Sequence, residues 1–209
     1  MPDVTDKIPQ PTTESPQVLV KQIRLADDRQ LRYTEYGDPQ GKPIFHFHGW
    51  VSSRLEFGHN RDIAKTLGAR VISVDRPGVG PSDFQPGRKI LDWPDDITQL
   101  ADALGIDRFA VSGWSFGGPY AAVCAYKIPH RLTAAGIIAG IPPLNRPGAT
   151  QGMMRPGQLF LGLGKKSPWV LRPIAWQIGR MVRSTPKGSL RKCRPPCPQQ
   201  TGKYIPASP

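Results

Sequence analysis

Phe109-Ala-Val-Ser-Gly-Trp-Ser-Phe-Gly-Gly118 is the stretch that decides the fold of this sequence. Its first three residues predict an apolar β-strand, and the alanine-rich residues 119–127 predict a helix. Ser115 stands between them, with Gly113 and Gly117 two residues to either side. In a turn of this kind the serine lies on a strained backbone, and the glycines leave room for the strand and helix to cross. Ser115 is therefore a candidate nucleophile.

The start of the predicted helix adds a second chemical property to this turn. Backbone N–H groups at a helix N-terminus have no partner within the helix, and they carry the positive end of its dipole. The N–H of Phe116 is therefore a candidate donor to an anion that forms beside Ser115. The five-residue Gly-x-Ser-x-Gly pattern alone also fits a glycine-rich turn with an incidental serine. The neighbouring stretches of sequence must decide between this interpretation and a nucleophile.

A second informative stretch, His46-Phe-His-Gly-Trp-Val51, follows the apolar strand predicted at residues 43–47. Gly49 lets the backbone bend there, which exposes the N–H of Trp50. Together with the N–H of Phe116, it would complete a two-donor oxyanion hole. We interpret His48 as a structural histidine that holds this loop, in preference to a group that transfers protons.

A third stretch, Asp75-Arg-Pro-Gly-Val-Gly-Pro-Ser82, follows the next predicted strand. Its glycines could suggest phosphate binding, but it lacks the Lys and Ser/Thr of a P-loop and the spacing of a dinucleotide fingerprint. We interpret it as a structural loop near the site, beginning at Asp75.

The order of the predicted elements indicates an α/β fold. Two strands, at residues 18–25 and 31–36, alternate as an antiparallel hairpin would. Strands and helices then alternate: strands at 43–47, 70–74, 109–111 and 134–141, and helices at 54–67, 93–104 and 119–127. Such alternation predicts a doubly wound, mostly parallel sheet with its ligand site at the carboxyl ends of the strands.

Together, the three stretches resemble the α/β-hydrolase superfamily, specifically its single-domain serine hydrolases with an HG-x oxyanion loop. The resemblance covers residues 17–141. It implies hydrolysis of an ester, amide or related bond in a small molecule, through an acyl-enzyme on Ser115. Epoxide hydrolases and haloalkane dehalogenases of this fold have aspartate at the nucleophile elbow, the tight turn that carries Ser115 in this sequence. Ser115 therefore argues against both. We expect no cofactor.

The sequence departs from this family after the nucleophile. The partners of the serine follow it in the order Asp or Glu, then His, but this sequence has no acidic residue after Asp107 and no histidine after His130. Since fifteen helical residues rise on the order of 20 Å, His130 should lie too far from Ser115 to act as its base. We expect an inactive or very weak hydrolase. The alternative is a catalytically silent binding protein, a pseudoenzyme or truncated isoform that uses the same pocket.

Composition divides the chain into four predicted regions. We predict a disordered leader at residues 1–16, the hydrolase core at residues 17–145 and a lid-like helical segment at residues 146–183. The composition of residues 184–209 indicates a disordered, basic, proline-rich tail. We expect the sheet to be truncated after its sixth strand, with a tail that is native, alternatively spliced or frame-shifted.

The net charge of +12 comes almost entirely from residues 151–209, which hold eleven basic and no acidic residues. Nucleic-acid binding is disfavoured because no recognised module accompanies this charge. We expect no metal site, since Cys193 and Cys197 lack further ligands nearby in the sequence. We expect Cys124 to be buried. No apolar run could span a membrane, and we expect a cytoplasmic protein. An incomplete sheet could associate with another chain.

Overall fold

The computed structural model describes residues 19–144 and 146–166, with single residues and pairs between 169 and 180. The predicted leader and basic tail lie outside the described residues, as do Cys193, Cys197 and most of the second half of the predicted lid-like segment. The chain divides into two compact units, Met1–Ala149 and Thr150–Pro209.

Six strands of the described residues form one sheet, in the order β1-β2-β4-β3-β5-β6. They are β1 (Lys21–Arg24), β2 (Gln30–Gly37), β3 (Lys42–Phe47), β4 (Ala69–Val74), β5 (Phe109–Trp114) and β6 (Leu132–Ile138). The strands from β3 to β6 are mutually parallel where they pair, whereas β1 and β2 form an antiparallel hairpin and β2 pairs antiparallel with β4. The predicted mostly parallel sheet with an N-terminal hairpin is confirmed.

The register of the central strands brings their carboxyl ends to one level. Phe47 at the end of β3 pairs with Val74 at the end of β4 and with Gly113 of β5. The three stretches singled out in the sequence therefore meet at the same edge of the sheet. Their meeting point follows from pairing alone, before any side-chain contact is considered.

Helices cover both faces of the sheet. Phe45, Phe47 and Ile72 face one side, where they pack with buried residues of α2 (Trp93–Ala103) and α3 (Gly118–Lys127). Tyr36 and Val71 face the other side, where Ala64 of α1 (Arg61–Thr66) covers them. This double cover explains why β3 is almost continuously apolar: alternate side chains enter two different cores.

The prediction of an α-helix over residues 54–67 is wrong for the first half of that range. Residues Arg54–Asn60 form a 3-10 helix, and only Arg61–Thr66 are α-helical. Ser53 caps the 3-10 helix, since its side chain accepts a hydrogen bond from the N–H of Leu55 at 3.3 Å. This segment bonds outward to the ends of β3 and β4, which an apolar periodicity cannot reveal.

The sixth strand lies earlier in the sequence than the predicted residues 134–141: β6 covers Leu132–Ile138. It is an edge strand, and all its residues after Leu132 are exposed. Ile137 and Ile138 of this strand are exposed, although α3 lies beside β6. In the second unit, α4 (Arg155–Lys166) supplies a helix within the predicted lid-like segment.

One close approach between backbone groups joins the turn at Ser115 to the end of β3. A Cβ on Gly117 would collide with the carbonyl oxygen of Phe47, whereas a Cβ on Gly136 would meet nothing closer than the Val111 carbonyl oxygen at 3.9 Å. We expect Gly117→Ala to lower the free energy of unfolding by about 2 kcal/mol or more, because backbone has to move. Gly136→Ala is the matched control and should change it by less than about 1 kcal/mol.

Urea unfolding of the two variants checks this expectation. Equal midpoints for Gly117→Ala and the unsubstituted chain would mean that the elbow can move away from β3 at little cost.

Candidate active site

Ser115 occupies a strained position between β5 and α3. Its φ is +52°, in the left-handed region that residues other than glycine seldom adopt. A single 3-10 turn, Ser115–Gly117, then leads into α3, with Pro119 in the first helical turn. The predicted strand, tight turn and helix are all present around Ser115.

The two glycines that flank Ser115 are required by close backbone contacts. A Cβ on Gly113 would collide with the carbonyl of Gly117, and a Cβ on Gly117 with that of Phe47. Gly117 also lies against the next carbonyl, since its Cβ position would be 3.1 Å from the oxygen of His48. The elbow is thus packed directly against the end of β3 and the loop that follows.

Residues 48–51 form that loop, which we call the HG loop. The position that a Cβ on Gly49 would take lies 3.6 Å from Ser115 Cβ. The side chains of Trp50 and Phe116 meet here as well, with ring centroids 5.8 Å apart. Val51 turns the chain away with a φ of +57°. The structure therefore brings together Ser115, Phe116, Gly49 and Trp50.

His48 is fully buried and bonded to the backbone of the HG loop. Its Nδ1 lies 2.8 Å from the carbonyl oxygen of Gly49, and its Nε2 lies 3.5 Å from the backbone nitrogen of Arg76. A neutral ring with its proton on Nδ1 satisfies both contacts. Burial, reinforced by the charge of Arg76, lowers the pKa of His48 to about 4. Both ring nitrogens are therefore engaged by backbone groups, one in the HG loop and one at Arg76.

Arg76 is also buried and lies against the HG loop. Its Nη1 donates to the carbonyl of His48 at 2.9 Å, and its Nη2 donates to that of Gly49 at 3.0 Å. The guanidinium stacks 5.0 Å from the ring centroid of Tyr120 in α3. Among the described residues, no carboxylate forms an ion pair with Arg76, and burial lowers its pKa. Its hydrogen bonds go to loop carbonyls instead.

Glu56 contacts the same loop from the opposite face of the sheet. Its two carboxylate oxygens lie 3.2 and 3.1 Å from the backbone nitrogen of Gly49. His46 Nε2 lies 3.2 Å from Glu56 Oε1, and His46 Nδ1 lies 3.0 Å from Ser112 Oγ. Burial lowers the pKa of His46, although Glu56 partly opposes this effect. Ser112, His46 and Glu56 thus form a hydrogen-bonded chain from β5 to the HG loop.

Asp75 holds the start of the 3-10 helix. Its Oδ1 accepts from the N–H of Arg54 at 2.7 Å, and its Oδ2 lies 2.5 Å from Arg54 Nη1. Ser82 closes the glycine-rich loop by donating to the Asp75 carbonyl at 3.2 Å. Because both carboxylate oxygens are bonded within the fold, Asp75 supports the site without opening onto Ser115.

None of the four histidines is hydrogen-bonded to Ser115 in the described part of the chain. His46 and His48 are bonded as described above. His59 is exposed in the 3-10 helix before α1, and His130 is exposed beyond the far end of α3. The ten residues of α3 rise about 15 Å, and His130 follows the end of this helix that lies away from Ser115.

An apolar groove of about 520 Å³ begins three residues after Ser115. Its walls include Pro119, Ala122 and Val123 of α3, Ile137 of β6 and residues 140–143. The N–H of Ile141 donates to the Ser115 carbonyl at 3.3 Å, so the far wall of the groove is tied to the elbow. Cys124 is fully buried as predicted, and burial raises the pKa of its thiol to about 12.

No group of three or more His, Cys, Asp or Glu side chains in residues 19–144 and 146–166 is placed to hold a metal ion. No helix of this part of the chain is long and apolar enough to cross a membrane.

The fold and the arrangement around Ser115 place the chain in a known class. It belongs to the alpha/beta hydrolase fold family, whose family model matches residues 42–167. The matched range contains the HG loop, the Asp75 loop and the elbow. The resemblance inferred from the three stretches is therefore confirmed.

Particular relatives include enzymes with several activities. The chain is 30% identical over 125 residues to a non-heme chloroperoxidase of Streptomyces lividans, covering 58% of this chain and 45% of the relative. It is 34% identical over 108 residues to a pimeloyl-[acyl-carrier protein] methyl ester esterase of Legionella pneumophila (strain Corby), covering 49% and 38%. A solved structure of a hypothetical protein from Pseudomonas aeruginosa PAO1 is 26% identical with a TM-score of 0.56, covering 73% and 52%. The chain spans less than half the length of either curated relative.

Sequence reasoning missed the residues that hold the HG loop. Arg54 and Glu56 lie in a stretch interpreted only as an amphipathic helix, and Arg76 was read only as part of a glycine-rich turn. Their partners are backbone groups or lie up to 28 positions away, so spacing gives no signal. The one available sign was a cluster of charged residues directly after strands that end at the site.

The depressed pKa of His48 predicts a pH-dependent stability. Arg76, Asp75 and Glu56 are the charged groups that act on this ring. An ordinary histidine titrates near 6.5 and His48 near 4, so the unfolded chain binds the extra proton first as the pH falls. The free energy of unfolding should therefore decrease by about 1 kcal/mol between pH 7.5 and pH 5.5 on account of this site.

Urea unfolding at the two pH values, with His48→Gln as the comparison, measures this contribution. The variant should keep only the pH dependence of the other groups, including His46, whose pKa is also lowered. An equal pH dependence in both proteins would show that His48 titrates normally in the folded state.

Proposed function

We propose that this chain carries the nucleophile and oxyanion hole of a serine hydrolase that acts on carboxylic esters, amides or related bonds of small molecules. The observation that carries the proposal is the position of Ser115. Its backbone is strained at φ +52°, and it lies against the HG loop, with Ser115 Cβ 3.6 Å from the position of a Gly49 Cβ. Strain of this kind is retained where function requires it.

The oxyanion hole is formed by the backbone N–H groups of Trp50 and Phe116. Phe116 belongs to the 3-10 turn that leads into α3, so its N–H lies at the positive end of a helix. Trp50 follows Gly49 in the HG loop, and its ring approaches that of Phe116. Two donors beside Ser115 would stabilise the negative charge of a tetrahedral intermediate more than one donor does.

The reaction follows from these groups. Ser115 Oγ attacks the carbonyl carbon and loses its proton to water or to a base from solution, and the negative charge moves to the carbonyl oxygen. Collapse of this intermediate breaks the bond to the leaving alcohol or amine, which takes up a proton, and leaves acyl-Ser115. Attack by water then releases the carboxylic acid and restores the serine hydroxyl.

We propose that this chain alone performs the reaction very weakly, because no histidine of the described residues is placed to act as a general base for Ser115. The buried histidines nearest the site in sequence are bonded elsewhere, and an unassisted serine hydroxyl is a poor nucleophile near neutral pH. The sequence contains no acidic residue after Asp107 and no histidine after His130. The family's order of Ser, acid and His is therefore not met in the printed sequence.

The second candidate is a binding protein without catalysis. The engagement of His46 and His48 in the fold favours it, since neither ring needs a substrate to complete its hydrogen bonds. The two candidates differ in what happens to Ser115. The predicted cytoplasmic location, the four-region division and association with another chain through the incomplete sheet stay predictions.

A base supplied from solution separates these candidates. We expect a fluorophosphonate to label Ser115 slowly, and imidazole to speed this labelling by about 10-fold or more, because general-base assistance contributes a large factor to such reactions. Mass spectrometry of the Ser115 peptide measures the rate.

Ser115→Ala should abolish the signal. Ser73→Ala is the matched control, since the buried Ser73 Oγ lacks a hydrogen-bond partner and its loss should not disturb the site. An unlabelled Ser115 peptide, with and without imidazole, would leave the silent binding protein as the function.

A further inference from the structure

The HG loop presents two successive peptide groups, and side chains of the protein grip both of them. In the peptide between His48 and Gly49, the carbonyl accepts from Arg76 Nη1 at 2.9 Å, while the N–H faces the Glu56 carboxylate at 3.1 and 3.2 Å. In the peptide between Gly49 and Trp50, the carbonyl accepts from His48 Nδ1 at 2.8 Å and from Arg76 Nη2 at 3.0 Å.

This arrangement determines where the N–H of Trp50 points. A trans peptide is planar, so its N–H is directed opposite to its C=O. Once His48 and Arg76 hold the Gly49 carbonyl, the direction of the Trp50 N–H is fixed with it. A planar guanidinium suits this task because it offers two donors in a rigid fork, and here the fork spans two consecutive carbonyls.

The charge of Arg76 adds to its geometry. A hydrogen bond from a charged donor is stronger than a neutral one, and it polarises the peptide that accepts it. Polarisation of the Gly49 carbonyl makes the Trp50 N–H a better donor. Arg76 is buried and forms no ion pair with a carboxylate in the described residues, although the charges of Glu56 and Asp75 also act on it.

Glu56 fixes the same loop at the other peptide. It is itself held by His46, which is held by Ser112 three residues before the candidate nucleophile. The HG loop is thereby connected to the strand that carries Ser115 through side chains as well as through the close approach of Gly117.

We propose that Arg76 and Glu56 are positioning residues that together set the direction of the Trp50 N–H towards the oxyanion of the reaction at Ser115. The inference rests on the proposed function of Ser115 and of the Trp50 N–H. Neither side chain touches substrate in this account. They act through the backbone of the HG loop.

Two conservative variants test the proposal. Arg76→Lys keeps the charge and most of the stem but loses the fork, and Glu56→Gln keeps the shape but replaces one acceptor oxygen with a donor group. We expect either variant to slow fluorophosphonate labelling of Ser115 by about 10- to 100-fold, with little change in the concentration at half-saturation. Arg29→Lys is the matched control, because Arg29 is similarly buried but pairs with Asp27 and Asp96.

A second measurement does not depend on reactivity. In the unreacted protein, the amide signal of Trp50 should shift in nuclear magnetic resonance spectra of both variants, and should stay in place in Arg29→Lys. Urea midpoints show whether each variant is folded, and a folded variant is required for the comparison. If Arg76→Lys unfolds, Glu56→Gln still decides the outcome.

The outcomes separate the two proposals. Unchanged Trp50 signals, or an unchanged labelling rate in folded variants, would overturn the positioning role while leaving Ser115 as the nucleophile. A wild-type chain that cannot be labelled would overturn the proposed function, and the catalytic part of this inference with it. The Trp50 signals would then still decide whether Arg76 and Glu56 orient the loop.

Discussion

The approach of Gly117 to the carbonyl oxygen of Phe47 is the contact on which the rest of the site depends. No side chain fits between them, so the elbow after β5 packs directly against the end of β3. The pairing of Phe47 with Gly113 puts these strand ends at one level. As a result, the loop that continues from β3 must pass beside Ser115. Backbone geometry thus creates the site before any catalytic chemistry is considered.

Side chains then hold the loop in a single orientation. Arg76 binds its carbonyls from the Asp75 loop, Glu56 binds its N–H from the 3-10 helix, and His48 closes on the carbonyl of its own neighbour. Burial keeps His48 neutral by lowering its pKa, which leaves Nε2 able to accept from the backbone N–H of Arg76. A rigid backbone donor is the kind of group that stabilises charge in a transition state without reorganisation.

The sequence predicted the elements of the sheet and the position of Ser115 well, because strands, helices and glycine turns leave local patterns. It predicted the 3-10 helix poorly, since Arg54 and Glu56 take their roles from Asp75 and Gly49 across the sheet. Arg76 stood inside a quoted motif, yet its function as a clamp depends on the orientation of two carbonyls. Such contacts arise from tertiary packing, and neither spacing nor composition records them.

The central claim is that Ser115 and the HG loop form one site in which Trp50 and Phe116 bind an oxyanion. A crystal structure of the chain after reaction with a fluorophosphonate tests it most directly. The account predicts phosphorus bonded to Ser115 Oγ, with a phosphonyl oxygen about 2.7–3.1 Å from the backbone nitrogens of Trp50 and Phe116. A phosphonyl oxygen that points to solvent, or an adduct on another residue, would contradict it.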